Sequence, residues 1–488
     1  MKKLKDLLYR CSIQRVVGNL DITVDHITFD SRTTTPGSVF VAVKGTVTDG
    51  HNYITDVIKK GIAAVVCESL PADFEKRDEV CFIVVKNSSE ALGYLACNYY
   101  DNPSEKLKLT GITGTNGKTT TVTLLYELFK LAGYKVGLIS TVNNLVIDKI
   151  YSSTHTTPDP IQLNSLLDEM VNDGCEYCFM EVSSHAIVQH RVTGLQFAGG
   201  IFSNLTHDHL DFHKTFDAYL QAKKMFFDKL PSGAFALVNI DDRNGRVMVQ
   251  NTKARVHTMA LRKSADFHCK ILENQFDGLQ LNINGKEVWS HLVGNFNAYN
   301  LLAIYSTARL LGIEEQEALI LLSKLHPVAG RFEYFRSPEG VVGIVDYAHT
   351  PDALKNVIDT INEIRSGAGK LITVVGAGGD RDKAKRPVMA RIAIDSSNTV
   401  VLTSDNPRSE DPVSILDDML EGIPIEKKRN CLIIPDRYQA IMTACNMAVE
   451  NDVILIAGKG HETYQEINGV RTHFDDREVL KEFFSQQG

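Results

Sequence analysis

"GITGTNGKTTT", Gly111–Thr121, decides how this chain folds. Gly117, Lys118 and Thr119 carry the chemistry of a phosphate loop: a tight backbone cradle, a cation for phosphate oxygens and a hydroxyl for magnesium. The strict motif asks for glycine where this chain has Ile112, and Gly111 and Gly114 flank that position instead. The surroundings strengthen the reading. "KLTGIT" in front is an apolar strand. "TTTVTLLYELFKLAG" behind places Leu124, Leu125, Leu128 and Leu131 on one helical face, with Gly133 as a stop. "KVGLIS" is the next strand. Strand, glycine-rich turn, helix and strand make a βαβ unit in a parallel sheet. The loop opens the helix, where unpaired N–H groups favour an anion.

The chain around this unit has 488 residues, 43% of them hydrophobic and 23% charged. That is an ordinary globular composition, long enough for about three domains. The net charge of -8 disfavours a general nucleic-acid binder, which needs a basic face for phosphates. "MKKLKDLLYRC" begins like a secretion signal, but Lys5 and Asp6 interrupt the apolar stretch that should follow. No apolar run approaches the length of a membrane span. Nine scattered cysteines fit a reducing cytosol better than a disulfide framework. Cys175 and Cys178 form one C-x-x-C without a second pair, so buried thiols in or near a strand are expected, not a zinc site. "NLT" at Asn204 is a glycosylation sequon that has no meaning in a cytosolic protein.

The texture changes twice along the chain. Residues 1–104 alternate short strands with turns: "GSVFVAVKG", "GIAAVVC" and "VCFIVV" all read as strands. "DNPSEKLK" looks like a polar linker. Residues 105–330 hold the phosphate loop. In 331–488, apolar strands run into polar motifs four times: "GVVGIVDYAHT", "LITVVGAGGDRD", "TVVLTSDNPR" and "VILIAGKGHE". Between the first two, "PDALKNVIDTINEI" has Leu354, Val357, Ile358, Ile361 and Ile364 at helical spacing. The expected fold class is α/β with three domains: a smaller α/β N-terminal domain, a central P-loop ATPase-like parallel sheet, and a C-terminal Rossmann-like doubly wound sheet. Ligands of such sheets bind beyond the carboxyl ends of the strands. "GAGGDRD" lacks the third glycine of a dinucleotide site, so no NAD is expected.

Several polar clusters remain. "MEVSSHA" puts Glu181 after an apolar segment, without the G-x-S-x-G of a hydrolase elbow. "NLTHDHLDFH" packs His207, Asp208, His209, Asp211 and His213 into seven residues. A binuclear metallohydrolase pattern nearly matches, but Phe212 stands where its last histidine belongs. Hard oxygen ligands beside a phosphate loop favour magnesium over zinc. "YLQAKKMFF" adds Lys223 and Lys224, which composition alone would leave on a surface.

Taken together, T-G-T-N-G-K-T, N-x-x-x-D-H-x-D-x-H, Y-x-x-A-K and D-N-P-R, in this order along the whole chain, resemble the Mur ligases, amide-forming enzymes of peptidoglycan synthesis. The resemblance implies a bacterial cytoplasmic monomer. It implies ATP held by Gly114, Thr115, Asn116, Gly117, Lys118, Thr119 and Thr120, with Asn297, Arg331 and Asp346; Tyr347 and His349 would lie near the nucleotide. Thr119, Glu181, His209 and a carbamoylated Lys223 would hold Mg2+, and Lys118, Lys223 and His209 would serve catalysis. Carbamoylation, capture of carbon dioxide by a neutral amine, would convert a cation that repels magnesium into a ligand. Ser31, Thr156, Thr157, Ser183, Gln189 and Arg191 would bind UDP-N-acetylmuramoyl-L-alanyl-D-glutamate.

D-N-P-R marks the diaminopimelate-adding branch of the family. Its implied contacts are Arg381, Asp405, Asn406, Pro407, Arg408, Gly458 and Glu462. Meso-diaminopimelate ends in a zwitterion where lysine has only an amine. Selecting it needs a cation such as Arg408 for the extra carboxylate, and an anion such as Glu462 for the ammonium. Glu410 and Asp411 are expected to orient Arg408 indirectly, through intervening groups. A lysine-adding ligase, a folylpolyglutamate synthase-like ligase, or a P-loop switch without amide chemistry stand as alternatives.

Overall fold

The computed structural model describes residues 1–45, 48–72, 74–77, 79–153, 155–206, 210–365, 367 and 369–486. His209, expected above to bind metal, lies outside them, as do His207 and Asp208. The chain divides into two compact units. One comprises Met1–Gly114, Leu125–Ser203 and Asp217–His257; the other comprises Thr115–Leu124, Asn204–Phe216 and Thr258–Gly488.

The first unit begins with a five-stranded sheet in the order Ile13–Val17, Cys81–Val85, Ala64–Cys67, Val39–Val41, Ile27–Thr28. The first pair is antiparallel and the others are parallel. Alternate residues feed two cores, as the period of a strand requires. Val39, Val41, Val66 and Ile83 pack with the helix Ser88–Tyr99 through Ala91, Leu92 and Leu95. Phe40, Val65 and Phe82 pack with Ile54, Val57 and Ile58 on the opposite face. The stretch expected to be a solvated linker is packed instead. Pro103 and Ser104 are buried in a short 3-10 turn, and the Ser104 hydroxyl accepts from the Gln196 N–H at 3.0 Å.

The phosphate-loop strand Lys108–Thr113 sits inside a parallel array: Val136–Ile139, Tyr177–Glu181, Lys108–Thr113, Gly199–Phe202, Phe235–Asn239. The two strands of the expected βαβ unit are therefore not neighbours; Tyr177–Glu181 is inserted between them. That strand is buried throughout, so sequence periodicity gives no hint of its place. It carries Glu181 at its carboxyl end beside the phosphate loop strand. Cys175 and Cys178 are buried and not disulfide-bonded, and full burial pushes the Cys178 thiol well above its ordinary range. The helix Lys118–Leu131 follows the loop and ends near Gly133, which has φ +89°.

The second unit contains an antiparallel set, Phe267–Gln275, Gly278–Ile283 and Lys286–Ser290, and a six-stranded sheet. Its order is Glu333–Arg336, Val342–Asp346, Val453–Ala457, Leu371–Val375, Thr399–Leu402, Cys431–Ile433, with only the first strand antiparallel. Helix Pro351–Arg365 buries Leu354, Val357, Ile358 and Ile361 against one face. Ala440, Ile441 and Ala444 cover the other. The four polar motifs thus leave the carboxyl ends of four adjacent parallel strands. Below them lies a fully buried ion pair. Arg437 donates through Nε and Nη2 to the two carboxylate oxygens of Asp476, both at 2.7 Å. It also donates to the carbonyls of Ser404 at 3.3 Å and Ala457 at 3.1 Å, the roots of two motif loops. Removing one partner of such a pair costs about 3–5 kcal/mol, because the other charge stays buried alone. No described helix is long and apolar enough to cross a membrane.

Candidate active site

In the second unit, the phosphate loop is pinned from below by a residue that the sequence placed among metal-binding neighbours. The Thr115 N–H donates to the Asn204 carbonyl and the Asn116 N–H to Asn204 Oδ1, both at 2.9 Å. Asn204 Nδ2 returns a bond to the Asn116 carbonyl at 3.1 Å. Asn116 Nδ2 and the Thr206 hydroxyl both donate to Asp352 Oδ2, at 2.8 and 3.1 Å. Asp352 was not singled out from sequence, where "TPDAL" reads only as a helix start.

Gly117 has φ +86°, and a Cβ there would sit 2.4 Å from Asn300 Oδ1. Both facts demand glycine. Asn300 in turn donates to Asn297 Oδ1 at 2.9 Å, and Asn297 donates to the Val293 carbonyl at 2.8 Å. The two asparagines therefore brace the loop from the buried side of helix Asn295–Leu310. Lys118 Nζ donates to the Thr115 carbonyl at 2.9 Å. Thr115, Thr119 and Thr120 are all buried.

Arg331 Nη2 donates to the Thr119 hydroxyl at 3.2 Å, and the guanidinium lies 4.5 Å from the centre of the Tyr347 ring. Tyr347 packs against His349 and His461, with centroids 4.5 and 4.8 Å away. Asp346 accepts from the Phe332 N–H at 2.7 Å. Burial pushes its carboxyl up to about 6, against the pull of Arg331. Burial holds the His461 ring down at about 3, so it is neutral at pH 7.

The first unit brings a second set together. Glu181, 1% exposed, accepts from the Thr141 N–H at 2.8 Å. The Thr141 hydroxyl meets that of Thr156 at 3.1 Å. Thr157 donates to the Glu181 carbonyl at 2.8 Å and accepts from the Ser183 N–H at 3.2 Å. Arg191 Nη1 donates to the Thr157 carbonyl at 2.7 Å, while its Nε and Nη2 both hold Gln189 Oε1. Five expected substrate residues thus share one network around Glu181, joined by Thr141, which had no sequence signal. Ser31 is elsewhere: its carbonyl accepts from Lys60 at 2.6 Å, next to the Asp30–Arg32 pair. Lys223, 1% exposed, donates to the Gly114 carbonyl at 2.8 Å and lies 4.5 Å from the Tyr219 ring centre. Lys224 is engaged with Asp228 at 2.7 and 2.8 Å.

The D-N-P-R loop is not a solvated turn. Arg408 has φ +55° and pairs with the hairpin Tyr464–Ile467/Val470–His473. Its N–H donates to the Glu466 carbonyl at 3.0 Å and its carbonyl accepts from the Asn468 N–H at 2.6 Å. Its Nη1 donates to the Gly379 carbonyl at 2.6 Å. Pro407 approaches Gly379 so closely that a Cβ there would meet its carbonyl oxygen at 1.8 Å. Arg381, on the same loop, is exposed. Asn406 Nδ2 donates to Glu462 Oε2 at 2.7 Å. Gly458 has φ +119°, and a Cβ would fall 2.5 Å from Asp405 Oδ2.

Glu410 and Asp411 bond groups other than Arg408, and Glu410 reaches the Gly379–Asp380 turn that Arg408 contacts. Glu410 binds buried Arg386 at 2.8 and 3.0 Å and accepts from the Asp380 N–H at 2.6 Å. The Arg386 guanidinium, first among these partners, pulls its carboxyl down to about 2. Asp411 caps the helix Pro412–Leu420 by accepting from the Ser414 N–H at 2.9 Å. A carboxylate at a helix start or beside a buried guanidinium finds a stronger partner there than a loop arginine could offer.

Three family models match in sequence order: the Mur ligase family catalytic domain at residues 23–100, the Mur ligase middle domain at 112–308, and the Mur ligase glutamate ligase domain at 330–460. The chain belongs to the Mur ligase family. It is similar to proteins named UDP-N-acetylmuramoyl-L-alanyl-D-glutamate--2,6-diaminopimelate ligase. The one from Cytophaga hutchinsonii is 57% identical over 100% of both chains; that from Bacteroides fragilis is 55% identical over 99% of both. The one from Clostridium tetani is 40% identical, again over 99% of both. A solved structure bearing the same name superposes with a TM-score of 0.68 at 32% identity, covering 95% of both chains. The folylpolyglutamate synthase of Thermotoga maritima, at 15% identity and a TM-score of 0.56 over 76% of this chain and 90% of its own, shares the fold.

Replacing Gly117 with alanine forces a left-handed side chain into Asn300. The expected result is ATP affinity weaker by about tenfold, from a penalty of roughly 1–2 kcal/mol. Nucleotide titration checks it, and unchanged affinity contradicts the cradle.

Proposed function

We propose that this chain joins meso-2,6-diaminopimelate to UDP-N-acetylmuramoyl-L-alanyl-D-glutamate at the expense of ATP, through an acyl phosphate. The observation that carries the reading is the Arg408 loop, fixed on a hairpin with Asn406 bound to Glu462, at the ligand end of a parallel sheet. It offers a forked cation and a carboxylate, the two groups that a distal zwitterion needs. Relatives over the full length carry that substrate in their names.

A carboxylate does not condense with an amine in water unless its oxygen is made a leaving group. In the first step the D-glutamate carboxylate attacks the γ-phosphorus of ATP, and ADP leaves. In the second, the diaminopimelate amine attacks the acyl carbon, loses a proton, and phosphate departs with its electron pair. Lys118, at the start of its helix, would balance the charge on the transferring phosphoryl, and Arg331 would act on phosphate oxygens in place of Thr119. Thr156, Thr157, Ser183, Gln189 and Arg191, already linked in one network, would position the nucleotide-linked dipeptide. Ser31 would contact its uridine end.

As the family resemblance implies, the Glu181 carboxylate and the Thr119 hydroxyl would supply oxygen to a hard dication, and a carbamate on Lys223 would add another. His209 would complete the set. Bound Mg2+ would neutralise phosphate charge and lower the cost of gathering anions. The case for modifying Lys223 is its burial. Its Nζ lies against the Gly114 carbonyl and the Tyr219 ring, and a carbamate would present an anion there. The division into residues 1–104, 105–330 and 331–488, a monomeric state and a cytoplasmic location where ATP is available complete the reading.

Phosphate release tests it. Release should require the uridine dipeptide, ATP and diaminopimelate together; release from ATP without the amino acid would mark a switch instead. Carbon-13 bicarbonate should give a carbamate resonance that disappears in Lys223→Ala, and that variant should lose activity by about tenfold or more. Full activity in Lys223→Ala would remove the carbamate from the mechanism.

A further inference from the structure

Lys459 of "GKGHE" has no part in the scheme above, yet it is 0% exposed, in a loop where lysine would ordinarily reach water. Its Nζ has three protons to place and finds three acceptors: Asn406 Oδ1 at 3.2 Å, Glu462 Oε2 at 3.3 Å and the Tyr464 carbonyl at 2.5 Å. The same Asn406 Oδ1 also accepts from the Glu466 N–H at 3.0 Å. Two donors on one side of the amide fix which end is oxygen. The other end, Nδ2, must then face Glu462, and it donates to Oε2 at 2.7 Å. One buried ammonium therefore sets both the direction of the Asn406 amide and the place of the Glu462 carboxylate.

We propose that Lys459 is a positioning residue for amino-acid selection: it holds Asn406 and Glu462 in the single arrangement that receives the distal ammonium of diaminopimelate. This rests on the reading that Glu462 is the anion for that ammonium. Lys459 would act through the Asn406 and Glu462 side chains.

The charge balance around Glu462 gives the inference a signature that mere packing would not produce. Burial and the neighbouring Asp405 push the Glu462 carboxyl upward, while Lys459 and the Asn406 amide pull it down. The other charged or titratable groups that bear on this site are Tyr347, Tyr464, Arg437 and Arg471. Burial raises both tyrosines, and both arginines stay cationic. His461, next in the chain, is held neutral by burial. Taking Lys459 away leaves the upward pushes less opposed. Glu462 then takes up its proton at a higher pH, and the ionised form is lost first at the acid end.

The test uses the full chain with product formation as the readout. Lys459→Met is expected to raise the KM for diaminopimelate by about tenfold, the worth of one charged hydrogen bond, while the KM for ATP stays put. The acid limb of kcat/KM for diaminopimelate should move to higher pH, so that the defect shrinks as pH rises. Should Lys459→Met fail to fold, Asn406→Ala removes the other downward pull and should move the same limb in the same direction. An unchanged KM for diaminopimelate, or a raised KM with an unmoved acid limb, overturns the proposal. A wild-type enzyme that forms no product from diaminopimelate overturns the underlying reading instead.

Discussion

A cation taken out of water must find anions and acceptors close by, or the fold loses several kcal/mol. Lys223, Arg386, Arg437 and Lys459 are each 1% exposed or less. Three of these lie in the C-terminal sheet's loops and supports, and each donates to atoms that belong to motif loops, although Arg386 Nε is left without an acceptor among the described residues. Arg437 takes the carbonyls of Ser404 and Ala457. Arg386 takes Glu410 and the Gly378 carbonyl, with Asp418 as a further anion. Lys459 takes Asn406, Glu462 and Tyr464. Loops that composition would call mobile turns are therefore fixed from beneath by charges that have nowhere else to go.

Fixed loops matter because this chemistry depends on placement. Phosphoryl transfer to a carboxylate and attack by an amine involve little covalent participation from protein; positioning and charge do the rest. The phosphate loop shows the same strategy with neutral groups. Asn204 bonds its backbone, Asp352 holds the Asn116 side chain, and Asn300 crowds position 117 so that only glycine fits. Around Glu181, Thr141, Thr156, Thr157, Ser183, Gln189 and Arg191 are tied to one another through hydroxyl, amide and carbonyl contacts. In each place, a polar network links the backbone and side chains into one fixed arrangement.

The sequence made much of this legible where local pattern carries the information. The phosphate loop, its helix and the four strand-to-motif junctions lie where periodicity and glycine placement put them. The burial of Leu354, Val357, Ile358 and Ile361 follows helical spacing. What escaped was set by distant partners. Strand Tyr177–Glu181 inserts between two strands that looked adjacent, because a fully apolar strand says nothing about its neighbours. The hairpin that mounts Arg408 consists of short, largely polar strands, and its bond to Arg408 spans about sixty residues of chain. Asn204 read as part of a metal pattern, but its described role is to brace backbone. Glu410 and Asp411 stand next to Arg408 in sequence and serve Arg386 and a helix cap in space.

In the proposed reading, Arg408 is the group that would tell diaminopimelate from lysine. The most direct measurement offers both amino acids at equal concentration with the uridine dipeptide and ATP, and reads the two products by mass. The wild-type chain is predicted to make the diaminopimelate product almost alone. In Arg408→Ala the ratio of the two products should fall by about tenfold or more, the worth of one charge-assisted contact. A ratio that Arg408→Ala leaves unchanged would contradict the account.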